Sequence, residues 1–143
     1  MEPKLDFNQM LDKCWTSALG LTKTAKLYQA GSPHDLSFIH CVFRADTADY
    51  VTILINCTCE GKVSIQTVDS PYLEDLVIHP PLAMTQAESE SFLRAAGYEG
   101  RWMNVVLRAP LYSVHYPPLY IYTVDSQYIA VDSTDGSNVF PLF

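Results

Sequence analysis

The chain has 143 residues, 48% apolar and 17% charged, a composition that fits one globular domain and excludes a disordered chain. Sixteen acidic residues against nine basic ones give a net charge of −7, and the basic residues are scattered, so no nucleic acid is expected as a partner. No stretch approaches the ~18 consecutive apolar residues of a membrane span, and the opening MEPKLDFNQM has no secretory pattern, so the expectation is a cytoplasmic protein without membrane association.

Residues 6–28 read as a helix. Asp6 is its N-cap, and Gln9 three residues on completes a capping box. Phe7, Met10, Cys14, Ala18, Leu21, Ala25 and Tyr28 follow in steps of three and four and form one apolar stripe. Gly31-Ser32-Pro33 ends the element. Three strands are expected next, at 36–45, 50–58 and 62–68. Facing Ala45 with Tyr50 pairs Val42 with Ile53, His40 with Ile55 and Phe38 with Cys57 on one side of the sheet. A three-residue turn, Cys59-Glu60-Gly61, then pairs Cys57 with Val63 and Ile55 with Ile65, and gives Gly61 the left-handed position.

A connection at 70–82, bearing Pro71, His79, Pro80 and Pro81, separates two halves. Thr85-Gln86-Ala87-Glu88 is a capping box that opens a helix to Ala96, closed by Gly97. Strands are expected at 101–109, 119–124 and 128–132. The turn Asp132-Ser133-Thr134-Asp135-Gly136 leads to a short last strand at 138–142. The fold class is therefore α+β, antiparallel sheet with helices packed on one face, in a single domain over 1–143. Its sub-units are 1–70, a helix plus three strands, and 83–143, a helix plus three or four strands; they read as tandem α-β-β-β units.

The segment 85–139, ending in Ile129-Ala130-Val131-Asp132-Ser133-Thr134-Asp135-Gly136, resembles PepSY-like domains, in which a strand runs into an Asp-x-x-x-Gly turn before a last strand. Tandem versions of that helix-plus-sheet unit look like beta-lactamase-inhibitor-type proteins. The resemblance implies a unit that binds or inhibits another protein.

Four cysteines, Cys14, Cys41, Cys57 and Cys59, read as reduced, buried, small apolar residues. The register above turns Cys57 inward, leaves Cys59 in the turn and points Cys41 to the opposite face. Tetrahedral zinc needs converging ligands, so no metal site is expected. No Gly-x-Ser-x-Gly elbow and no phosphate-cradling glycine loop occurs. His34, His79 and His115 have no identifiable acid partner. The carboxylate pairs Asp46/Asp49 and Asp132/Asp135 fall in turns, and Glu88/Glu90 suits the first turn of a helix. No catalytic residue, no cofactor and no enzymatic activity are expected.

Seven of the nine tyrosines follow residue 71. Tyr120 and Tyr122 share a strand face with Val124, and a three-residue turn over 125–127 would bring Tyr128 to the same face. Tyrosine offers contact area at low entropic cost and is enriched at interfaces. Tyr112, Tyr116, Tyr120, Tyr122 and Tyr128 are therefore the candidate interface, and the leading expectation is a protein partner bound by an inhibitory or immunity-like module. Two alternatives stand beside it. One is a small-molecule-binding or enzymatic domain whose pocket lies between helix and sheet, with His40 as its polar group. The other is a structural protein that self-associates, as a homodimer, through sheet edges.

Overall fold

The computed structural model describes residues 3–45, 47, 49–71, 76–109 and 117–142. Ten elements follow in order: α1 (Phe7–Leu21), β1 (Lys26–Pro33), β2 (Phe38–Arg44), β3 (Thr52–Thr58), β4 (Val63–Val68), α2 (Gln86–Ala95), β5 (Trp102–Arg108), β6 (Leu119–Val124), β7 (Gln127–Asp132) and β8 (Val139–Pro141). The fold is α+β. All eight strands join one antiparallel sheet in the order β4-β3-β2-β1-β5-β6-β7-β8. The order is symmetric about the β1–β5 pair, so each half is α-β-β-β-β rather than α-β-β-β, and the halves share a continuous sheet.

The extra strand comes from the expected first helix. α1 begins as anticipated, with the reciprocal Asp6–Gln9 capping box, but it stops at Leu21 with Thr22 extended. Ala25 and Tyr28, which continue the three-four spacing, belong to the approach to β1 and to β1 itself. β1 pairs with β2 on one side and β5 on the other, and Leu27 and Ala30 turn into the core. Pairing on both edges satisfies the strand's backbone donors and acceptors while its apolar side chains fill the core, and that outweighs the local spacing. The ladder shifts register at Tyr28, the residue that a continued helical stripe would also have buried.

The first hairpin differs from expectation by one residue. Phe43 faces Ile53, Cys41 faces Ile55 and Ile39 faces Cys57. Ala45 N donates to Val51 O at 2.8 Å, and Thr47 closes the longer turn through bonds between its Oγ1 and the Tyr50 backbone. A one-residue slip turns every side chain over. Ile39, Cys41, Phe43, Ile53, Ile55 and Cys57 are thus the buried set under α1, while His40 lies on the far side. The second hairpin is as expected: Cys57 pairs with Val63 and Ile55 with Ile65, and Gly61 has φ +95°.

α2 carries the Thr85–Glu88 capping box, and Gly97 follows it at φ +100°. Both helices lie on one face of the sheet. There Phe7, Met10, Cys14 and Leu93 join the inward residues of β1–β7 in one core. Each fully buried Ile or Phe contributes about 1.5–3 kcal/mol relative to exposure. Between the halves, Ile78 bridges to Leu27 and Leu76 to Ala109, so a piece of the connection lies against the ends of the two central strands.

Candidate binding surface

Tyr120 and Tyr122 are buried to 0% exposure and form no part of a surface. Both point toward the helices. Tyr120 Oη donates to Met84 O at 2.7 Å, and its ring meets Phe7 edge-on at 6.0 Å. Tyr122 Oη accepts from Gln86 Nε2 at 3.1 Å and lies 2.6 Å from Ser89 Oγ, which also lies 2.7 Å from Gln86 O. Asn8 of α1 accepts from Gln86 N at 2.8 Å. Two strand tyrosines therefore fasten the start of α2 to the sheet and to α1. Burial pushes Tyr120 up to about 12 and raises Tyr122 further, against the opposing effect of their hydrogen bonds. Sequence reading missed this network because Asn8, Gln86 and Ser89 look like ordinary helix-surface residues.

Tyr128 is the one described member of the expected interface that is exposed, at 53%. Asp125 and Ser126 both have positive φ, 49° and 64°, and form a two-residue turn, which pairs Tyr128 with Thr123 and places it on the face opposite Tyr120 and Tyr122. Tyr112 and Tyr116 lie outside the described residues, as does His115.

His40 does not line a space under the helix. That space is filled by Ile39, Cys41, Phe43 and their partners. His40 faces Asn56 across the ladder and is hydrogen-bonded to it through Nδ1 and Oδ1.

The face that carries His40 has no helix on it among the described residues. Its registers connect into rows that cross the whole sheet. One row runs Ser64, Asn56, His40, Gly31, Val106, Ile121, Ala130, Phe140. Its first half is polar and its second half apolar, and Gly31 makes a notch in the middle. Leu119, Ile121 and Ala130 form a small second core there, flanked by Phe140 and Leu142. Phe38, 43% exposed, and Tyr128 stand at the same end of this face.

The cysteines are all buried and unpaired. Contrary to the expected register, Cys41 faces inward with Cys57, beneath Cys14 of α1. Burial pushes the Cys41 thiol well up, and Cys14 beside it adds to the effect. Among the described residues no group of three His, Cys, Asp or Glu side chains is placed to hold a metal ion, and no helix is long and apolar enough to cross a membrane. A groove of about 480 Å³ runs between α1 and the segment before α2, with apolar walls from Trp15, Leu19, Pro80, Pro81, Leu82 and Met84.

No family model matches the chain, and no curated protein matches its sequence. Among solved structures, a putative lipoprotein from Clostridium difficile 630 has the same fold, with a TM-score of 0.65 and 15% identity over 99% of this chain and 95% of that one.

Proposed function

We propose that the chain is a protein-binding module, inhibitory or immunity-like in action, that holds its partner on the helix-free face of the sheet. The observation that supports this is the division of labour between the two faces. The helices and the buried tyrosines complete the core on one side. The other side carries polar residues on β2–β4 and two exposed aromatic side chains, Phe38 and Tyr128, beside a small apolar cluster on β6 and β7 that is itself covered and edged by the half-buried Phe140 and Leu142. Interface cores are commonly apolar, aromatic and rimmed by polar groups. The net charge of −7 favours approach of a basic partner. The unpaired, buried cysteines suit a reducing compartment, so a cytoplasmic location belongs to the same reading.

The test is affinity capture from extract of the source cell, followed by binding measurements with the purified partner. Wild type is set beside Gly31→Arg and Tyr128→Ser. A Cβ at Gly31 meets only Val106 Cγ2 at 3.4 Å and Val105 O at 3.6 Å, so the arginine projects from the face without breaking the strand. Loss of one specific partner in both variants, with circular dichroism unchanged, is the expected result. A partner retained by both would remove this face from consideration.

A second reading, a small-molecule-binding domain, is favoured by the groove beside Trp15. Its size falls in the usual ligand range of ~300–1,000 Å³, and Asp12 is the only charged residue among those lining it. Saturable quenching of Trp15 fluorescence by a metabolite fraction, measured in a Trp102→Phe background, would support it.

A further inference from the structure

We infer that two copies of this chain pair antiparallel through β4, joining their sheets across a two-fold axis at Ile65. β4 ends the sheet and pairs only with β3 among the described residues. Ser64, Ile65, Gln66 and Thr67 are all exposed, Ile65 to 46% although it is a large apolar residue. Thr58 N donates to Lys62 O at 2.9 Å. In an antiparallel ladder the bonded residues alternate, so Lys62, Ser64 and Gln66 bond inward to β3. Val63, Ile65 and Thr67 then carry their N–H and C=O groups outward to the open edge.

Natural sheets blunt such edges with charge, proline, bulges or short length. The opposite edge does so: β8 has three residues and includes Pro141. β4 has six residues with no charge and no proline, and its register with β3 is unbroken. Among the described residues it remains an open template for another strand.

The strand is complementary to itself. With Ile65 facing its own copy, Val63 meets Thr67 on the helix side and Ser64 meets Gln66 on the other. Lys62 precedes the strand and Asp69 follows it, both exposed. Antiparallel pairing brings Lys62 of each copy to the end bearing Asp69 of the other, whereas parallel pairing would set like charges together. A second copy therefore satisfies the edge in hydrogen bonds, side-chain type and charge at once. This inference is independent of the proposed function, because the pairing leaves the helix-free face open.

The test is sedimentation velocity of the full chain over a range of concentrations. Wild type is expected to sediment as a dimer. Ile65→Lys is expected to be monomeric, and so is Thr67→Pro, which removes an outward N–H and leaves the inward ladder intact; both should keep the wild-type circular dichroism. Lys62→Glu should weaken the dimer at least several-fold, and adding Asp69→Lys should restore it. A wild-type monomer at ~1 mM would overturn the inference, and so would a dimer that survives both Ile65→Lys and Thr67→Pro. A dimer that is weakened by Lys62→Glu but not restored by the charge swap would overturn the two-fold register.

Discussion

The ring of Phe92 lies over Gly136, so close that a Cβ at position 136 would fall 2.2 Å from two of its carbons and 2.6 Å from Cγ. This contact couples α2 to the turn between β7 and β8. Asp132 Oδ1 shapes the same turn, accepting from Thr134 N, Thr134 Oγ1 and Asp135 N. Gly136→Ala should cost about 1–3 kcal/mol through overpacking. In the Phe92→Ala background the same change should cost much less. Urea denaturation of the four proteins in that cycle measures the coupling.

Tyr122→Phe should destabilise the protein by about 1–3 kcal/mol, because Gln86 Nε2 stays buried after its acceptor is removed. Tyr120→Phe should act in the same direction through the lost bond to Met84 O. Neither variant should change binding by the opposite face, since both positions are 0% exposed. Thermal melts together with partner affinity check both halves of the prediction.

Alkaline pH should unfold the protein through the same two residues. Each is held neutral by burial, Tyr120 with its pKa at about 12 and Tyr122 above it. In the unfolded chain they titrate near 10. Their contribution is therefore fully present below about pH 10. As pH rises further, the unfolded state gives up its protons first, and each tyrosine lowers stability by up to about 1.4 kcal/mol per pH unit until its folded pKa is reached. Denaturation midpoints measured at successive pH values should fall over that window, and less steeply in Tyr120→Phe.

Asp125 and Ser126 occupy a tight turn in which both residues have positive φ. Asn-Gly is the sequence such turns favour. Replacing the pair with Asn-Gly should raise stability by about 0.5–1 kcal/mol by relieving backbone strain. A lowered melting temperature would show that the Asp125 side chain, which lies near Gly100, matters more than the backbone.

All four thiols should resist a water-soluble disulfide reagent in the native protein and react on unfolding. Cys14, Cys41 and Cys57 have 0% exposure and Cys59 has 8%. Burial raises both Cys41 and Cys57, which leaves little thiolate to attack. Counting modified thiols by mass with and without denaturant gives the answer.

Local chemistry made much of the fold legible. The two capping boxes, Gly61 and Gly97 each depend on a few adjacent residues, and the structure has them where the sequence places them. Three features depend on distant partners that no local stretch of sequence displays. β1 carries a helical spacing, and only pairing to β2 and β5 makes it a strand. His40 and Cys41 exchanged faces because the turn before β3 is one residue longer than assumed, and Thr47 is the residue that signals it. The tyrosines of β6 were correctly grouped on one face, but the alternation of a strand does not say which face the helices will cover. Tyr120 and Tyr122 accordingly lie under the helices, and Tyr128 is the one described tyrosine of the candidate interface that is exposed.

The short bridges of Leu76 to Ala109 and Ile78 to Leu27 tie the connection to both halves at the seam. They sit where two four-strand halves meet edge to edge, β1 against β5, in one continuous sheet. Severed after Ile78, the chain would divide into two pieces, each with the residues of one helix and four strands, and β1 and β5, which pair with each other in the intact sheet, would become edges. The two pieces should reassemble when mixed. Fused separately to the halves of a reporter, they would report on their own reunion.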